Sequence, residues 1–394
     1  MNKNLLGEDI RRNKINARPK IAFVTNFAAH YSIKFFELLA ARYDVEFFFT
    51  GGQEDYWDKK NKTWVGNFKG KYLKGFFIFP KIKITAGLFT LPVKQYDIFI
   101  KTIDDRFSLP FIFFLTKIQR KPFVLWTGLW SHPRTFFHIL SQGLVNFIYR
   151  HSDAIIVYGK HVKRYLLKLG VEEDKIFYAW HSIDNRAFDK QVTDKEKSEI
   201  KIKLGLSDEK IALYVGRLEE GKGLNYLIKA VSMIKDLKVV VLFIGSGSKK
   251  YILEKECQKR NVLYRFLGHI PNEKLYCYYA LAEVFILPSV TTRDFKEPWG
   301  LVINEAMNQG CPIIATDAVG AAVGGLMEHG KNGFVVPEKD SLALKKALET
   351  LLKDEALRCR MGLFSKKKIE DWSQEGMVKG FAEAVEYVFD QSIT

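Results

Sequence analysis

The sequence predicts an α/β protein of two Rossmann-like, doubly wound parallel sheets facing each other across a cleft. Three observations carry that expectation. Apolar runs of about five residues alternate with helix-period segments, the pattern of buried parallel strands covered by helices. The chain has 394 residues, long for one domain when roughly 150 is the guide. The pattern also occurs twice, on either side of a polar stretch. A composition of 47% hydrophobic and 27% charged residues excludes disorder and fibrous repeats.

Strands of the first unit are expected at 20–26, 44–50, 96–101, 122–127, 154–158 and 176–180, and helices at 31–42, 108–119, 134–150 and 160–169. Segments such as KIAFVTN and AIIVY are short, β-branched or aromatic, and apolar at successive positions, as burial on both faces requires. The second unit repeats the style, with strands at 211–217, 239–245, 262–268, 284–289, 312–317 and 333–337. Its helices fall at 223–236, 248–260, 272–281, 300–309, 321–329 and 339–353. The charged stretch 182–205 reads as a linker between a domain 1–185 and a domain 186–375. The segment 374–392 has no sheet of its own to cover, so residues 376–394 are expected to form a helix packing back toward the first unit. In such folds ligands sit at the carboxyl ends of the strands, here in the cleft between the sheets.

Net charge is +16, from 61 Lys and Arg against 45 Asp and Glu. Residues 1–190 hold 31 basic and 17 acidic side chains, a net of +14, so the remainder holds 30 and 28, a net of +2. The first half also carries 23 of the 31 Phe and 5 of the 7 Trp. Between Asp58 and Asp97 no acidic residue occurs, and Lys59, Lys60, Lys62, Lys69, Lys71, Lys74, Lys81 and Lys83 alternate with rings such as Trp64, Phe76 and Phe77. A second acid-free interval runs from Arg106 to Ser152. Taken whole, these runs suit an anionic membrane surface. For any single lysine, a solvated face over an aromatic core is the better explanation. A nucleic-acid partner is the rival reading of basic-plus-aromatic sequence. No nucleic-acid module appears, and none is expected as a partner.

Cys257, Cys277, Cys311 and Cys359 form no CxxC and have no His at metal-ligand spacing. Reduced thiols in a cytoplasmic protein are expected, with no metal site. The first twenty residues hold no signal-peptide core. The greasiest run, Ser108 to Leu115, is stopped by Lys117, Arg120 and Lys121, far short of the about 20 apolar residues a bilayer span takes. The expectation is a cytoplasmic protein, peripheral at the inner face of the membrane.

The most informative stretch is EPWGLVINEAMNQGCPIIATD, 297–317. Gly300 opens an apolar-periodic helix, so the amides of Gly300, Leu301 and Val302 point at any phosphate in front of it. Glu297 precedes the helix and Glu305 lies on it. Each carboxylate can take two hydroxyl hydrogen bonds from a diol. Equally, Glu305 pairs with a lysine and Glu297 is solvated. In YVGRLEEGKGLNYLIKA (214–230) the strand ends at Gly216, Arg217 follows, and Lys222 lies in the turn before the next helix. Two cations there can clamp a diphosphate and neutralise its charge as it leaves, or merely cap a helix. The string is not a Walker A loop, because Gly221-Lys222 is followed by Gly223. IGSGSKK (244–250) lacks the third glycine of a dinucleotide fingerprint. LGHIPNEKL (267–275), which contains Ile270, reads as a plain strand-to-helix connection whose backbone could also meet a base edge.

GRLEEGKG, IGSG, LGHIPNEKL, EPWGLVINEAM and GCPIIATD, in this order, resemble the family-4 retaining glycosyltransferases (glycosyltransferase group 1) of the GT-B fold, over nearly all of 205–375. The resemblance implies a nucleotide-diphosphate-sugar donor held mainly by the second domain, no cofactor and no required metal. It implies Arg217 and Lys222 on the diphosphate, Glu297 on the donor sugar, Glu305 on the ribose, the amides at 300–302 on the distal phosphate, and Ile270 on the base through its backbone. Domain 1–185 then binds the acceptor. The family's Gly-Gly turn after the first strand is NFAAHYSIKFF here, and its His after a central strand is replaced by Thr127-Gly128. His132 is the nearest candidate for that catalytic place, and His30 is a candidate on the acceptor side. Either is equally a helix-edge His with a structural partner. The expected activity is transfer of a hexosyl group, with retention, to a glycan or lipid-linked acceptor of cell-surface polysaccharide, lipopolysaccharide or glycolipid synthesis. A soluble acceptor, or a non-catalytic sugar-binding protein, is the alternative. A nicotinamide oxidoreductase would need a full GxGxxG, and none is present.

Overall fold

The computed structural model describes residues 18–51, 66–79 and 82–393. Lys59, Lys60, Lys62, Trp64 and Lys81 of the basic run lie outside the described residues. In chain order the strands are β1 Lys20–Thr25, β2 Asp44–Phe49, β3 Lys69–Tyr72, β4 Phe76–Phe79, β5 Ile82–Ile84, β6 Ile98–Thr102, β7 Phe123–Thr127, β8 Ala154–Val157 and β9 Ile176–Tyr178. The second half adds β10 Lys210–Val215, β11 Val239–Ile244, β12 Leu263–Gly268, β13 Val284–Leu287, β14 Ile313–Thr316 and β15 Gly333–Val336. The first sheet is ordered β3-β2-β1-β6-β7-β8-β9 and the second β12-β11-β10-β13-β14-β15, with every pairing parallel. β4 and β5 form a separate antiparallel hairpin.

All twelve strands expected from sequence are present. The sheet gains β3 at one edge, where KGKY lacks the apolar run that marks an interior strand. Such basic edges discourage pairing with other chains. The linker 182–205 is not plain coil: it holds helices Asn185–Phe188 and Asp194–Lys203. Thr193 and Glu196 form a reciprocal capping box that starts the second of these, supplying acceptors for orphan amides. The helix expected at 321–329 is confined to Gly320–Val323. Asp354 caps a further helix, Glu355–Glu370, that has little apolar periodicity.

Helices Ile33–Arg42 and Gln374–Ile393 cover one face of the first sheet through Phe35, Phe36, Leu39, Phe381 and Val385. Helices Ser108–Ile118, Phe136–His151 and Lys160–Lys168 cover the other, through Ile112, Ile148 and Val162. Phe381 stacks on Phe23 of β1 at 5.9 Å and meets Trp126 of β7 edge-on at 5.2 Å. At Gly380 a Cβ would lie 1.9 Å from the Tyr178 carbonyl oxygen, so this helix rests its backbone directly on β9. Gly380→Val should therefore lift the helix and cost roughly 1–3 kcal/mol. A lower thermal midpoint is the expected reading, and an unchanged midpoint would refute the contact.

Candidate active site at the mouth of the second sheet

The candidate site is made by loops leaving β10, β11 and β13. After β10, the Gly216 amide bonds the Ile244 carbonyl and the Tyr214 hydroxyl bonds the Arg217 carbonyl at 2.7 Å, fixing the turn. Arg217 is exposed, and its guanidinium makes no hydrogen bond or ion pair with another described residue. Glu219 accepts from the amide and hydroxyl of Ser248 at 2.9 and 2.7 Å. The glycines at 245 and 247 thus serve a loop-to-loop junction. Lys222 ends a 3-10 turn, Glu220–Lys222, and Gly223 follows at φ +63°, where a Cβ would lie 2.1 Å from the Pro288 carbonyl. Only glycine makes that reversal without strain.

Lys222 Nζ meets the Glu297 carboxylate in an almost fully buried ion pair. Ser289 Oγ donates to the same carboxylate at 3.0 Å, and the Lys222 ammonium stands 5.1 Å from the centre of the Phe295 ring. Glu297 is therefore paired rather than solvated. Gly300, at φ +94°, turns the chain into helix Leu301–Asn308, whose first bond runs from the Ile303 amide to the Gly300 carbonyl. The Leu301 and Val302 amides precede that bond and face outward from the helix start. Glu305 has no lysine partner among the described residues. It accepts from the Tyr279 hydroxyl at 2.6 Å, and burial pushes its carboxyl up to about 7 against that hydrogen bond. Ile270 packs its side chain on the second core.

The histidines behave differently from one another. His30 lies in the turn after β1 with Nε2 2.6 Å from the Asn272 amide nitrogen, so it reaches across to the loop that carries Ile270. Burial lowers its pKa, with Glu273 opposing. His132 Nε2 lies 2.7 Å from the His138 carbonyl, a bond to the first turn of helix Phe136–His151 and not to the Lys222–Glu297 pair. It lines a cavity of about 920 Å³ between 129–134 and 290–296, together with Arg134, Arg293 and Lys296. No trio of His, Cys, Asp or Glu among the described residues is placed to hold a metal ion.

Sequence reasoning missed the junction between the halves. Trp130 Nε1 donates to the Glu297 carbonyl at 3.0 Å, and His161 Nε2 lies 2.9 Å from the Pro298 carbonyl. The His161 ring sits between Trp130 and Trp299, with centroids at 5.1 and 5.9 Å. The Arg134 amide bonds the Arg293 carbonyl at 2.7 Å, and Arg293 Nε returns to the Arg134 carbonyl at 2.9 Å. Lys296 lies 3.7 Å from the centre of the Trp130 ring. A tryptophan three residues past β7 is the sequence signal of this junction.

Two parallel, doubly wound sheets meeting through these loops are the GT-B architecture, and the structure superposes on Anabaena HepE in complex with UDP with a TM-score of 0.73, 16% identity and coverage of 93% of this chain and 99% of that one. Residues 196–368 match the family described as glycosyl transferases group 1. An uncharacterized glycosyltransferase of Methanocaldococcus jannaschii is 32% identical over 58% of this chain and 58% of its own. The alpha-D-kanosaminyltransferase of Streptomyces kanamyceticus is 28% identical over 59% and 60%. CapM of Staphylococcus aureus, a capsular polysaccharide biosynthesis glycosyltransferase, is 32% identical over 47% of each chain. The chain thus spans about half to three fifths of the length of these curated relatives.

Burial drives the imidazoles of His161 down to about 4 and of His181 down to about 3. Below the ordinary value near 6.5 the unfolded chain binds protons that the folded chain refuses, so stability present above that pH is lost as it falls toward 4. His181 stacks on Tyr158 at 4.2 Å, which a phenyl ring can imitate. Relative to His181→Phe, the protein should lose stability at up to about 1.4 kcal/mol per pH unit over that window. Parallel stability curves for the two would contradict the assignment.

Proposed function

We propose that the chain transfers a glycosyl group from a nucleotide-diphosphate sugar to a glycan or lipid-linked acceptor in cell-surface polysaccharide, lipopolysaccharide or glycolipid synthesis, with retention and without a metal. The observation that carries this reading is the buried Lys222–Glu297 pair beside the start of helix Leu301–Asn308; Arg217 on the β10 loop and Glu305 on that helix complete the set we assign to the donor. Two cations and a helix N-terminus suit a diphosphate. Two carboxyl groups on either side of them suit the hydroxyls of a sugar and a ribose. HepE, which shares the fold, was crystallised with UDP, so a UDP-sugar is the first donor to try.

In this reading no protein nucleophile is needed. The anomeric bond loosens as the diphosphate departs, and the acceptor hydroxyl enters from the same face. The protein supplies position and preorganised charge. Arg217, with its fork unengaged, receives the diphosphate. Lys222, aimed by Glu297 and Ser289, stabilises charge on the leaving oxygen. Glu305, with a carboxyl that titrates near neutrality, can both accept from and donate to a ribose diol. A non-catalytic relative would be expected to lose part of this set, and here every member is present. The basic, aromatic first half, with its two acid-free intervals, favours an acceptor at the inner, anionic membrane surface, with the protein peripheral there. Among the described residues no helix is long and apolar enough to cross a membrane.

Arg217→Ala and Lys222→Ala should each lower transfer by about 10²–10³-fold with the fold retained, measured against UDP-, GDP- and ADP-sugars in the presence of chelator. Full activity of either folded variant would overturn the assignment of these cations. Loss of wild-type activity to chelator would overturn metal independence.

A further inference from the structure

Helix Phe136–His151 is packed the wrong way round for a soluble surface. Of its sixteen residues only Ile148 and Tyr149 are buried, while Phe136, Phe137, Ile139, Leu140, Leu144 and Phe147 are 39–68% exposed. A surface helix normally turns its apolar stripe inward. The neighbouring helix Ser108–Ile118 continues the exposed face with Phe114 and Ile118, and the two helices touch through Phe113 and Phe147 at 6.0 Å. An apolar face this long marks an interaction site.

Its charges define the occupant. From Arg106 to Ser152 there is no acidic residue, while Arg106, Lys117, Arg120, Lys121, Arg134 and Arg150 are present. The Arg106 guanidinium lies 5.0 Å from the centre of the Phe137 ring. The flanking acids are spent internally: Asp104 on Lys101, Asp105 on the Ser108 amide and hydroxyl, and Asp153 on Lys117 at 2.8 Å. A second copy would have to press this cationic face against itself, because a two-fold contact pairs the same patch on both subunits. An apolar stripe flanked by cations suits acyl chains beneath anionic headgroups.

We propose that the outer face of helices 108–118 and 136–151 docks on an anionic bilayer, with the apolar side chains of helix 136–151 inserted below the headgroups. Thr135 immediately precedes that helix and residues 129–134 before it wall the 920 Å³ cavity. Docking therefore holds that wall within about one helical turn of the headgroups, where a lipid-anchored acceptor is presented. The proposal deepens the glycosyl-transfer reading and rests on it for the acceptor, though not for docking itself.

The test is flotation of the purified full chain with vesicles of phosphatidylcholine alone or mixed with phosphatidylglycerol, at low and high salt, beside the double variant Leu140→Glu, Leu144→Glu. The wild type should float with the anionic vesicles, and high salt should weaken this without abolishing it, because inserted apolar groups are not screened. The double variant should lose roughly a hundredfold in affinity, while its thermal midpoint and its stabilisation by added UDP match the wild type. No flotation at low salt, or equal flotation of the double variant, overturns the proposal. So does a wild-type dimer that the variant converts to monomer with vesicle binding unchanged. Flotation without any sugar transfer leaves docking standing and removes the activity assigned above.

Discussion

Glu297 is the residue on which the arrangement turns. Its carboxylate holds Lys222 and Ser289, while its carbonyl accepts from Trp130 of the first half and from the Gly320 amide. One side chain thus orients the cation of the β10 loop, and one peptide group ties two halves of the chain together. A buried ion pair contributes little net stability, because desolvation offsets most of its Coulomb gain. Removing one partner is another matter, since it strands a charge at a cost of several kcal/mol. The pair therefore restrains geometry more than it stabilises the fold. It keeps an ammonium at the mouth of the sheet in a fixed place.

That restraint works because both sheets are parallel. Every strand of each sheet ends on the same edge, so loops far apart in sequence converge there. Gly223 and Gly300 take left-handed conformations at two of these loop ends and let the chain pass within contact of the β13 exit. The first half answers with Trp130 and His161, which bond the carbonyls of Glu297 and Pro298. His161 must stay neutral in that position, flanked by Trp130 and Trp299 with Arg164 and Lys296 nearby. The same contact that joins the halves makes their junction sensitive to protons.

Strands were legible because burial on both faces leaves an uninterrupted apolar run, as in β11, where all six residues are buried. The edge strand β3 was not, since alternating lysines and a glycine carry no such run. Helix 194–203 has no apolar face to read, and only its T-x-x-E capping box marks it in the sequence. At the site, residue types and spacing marked Arg217, Lys222, Glu297 and Glu305, but their partners did not follow. Lys222 finds Glu297 75 positions away and Tyr279 finds Glu305 26 away, while His161 finds Pro298 137 away. Such pairings depend on tertiary packing, which short-range periodicity does not encode. His30, the candidate for the acceptor side, and His132, the candidate for the catalytic place, both have hydrogen-bond partners.

The two cations of the site are not equivalent, and the difference bears on the order of events in the proposed reaction. Lys222 is nearly buried and already neutralised by Glu297. Drawing it onto a phosphate would separate an ion pair in a low-dielectric setting, where attraction at contact is several times stronger than in water. Arg217 is exposed and uncommitted, and a guanidinium engages two phosphate oxygens at once. In the proposed reaction a diphosphate entering the site would meet Arg217 and the helix amides first, and Lys222 only where Glu297 has been offered other hydrogen bonds. Sugar hydroxyls are donors of that kind. Seating the sugar on Glu297 would thus loosen Lys222 toward the leaving oxygen, so that the full positive charge reaches the diphosphate only when the sugar is in place.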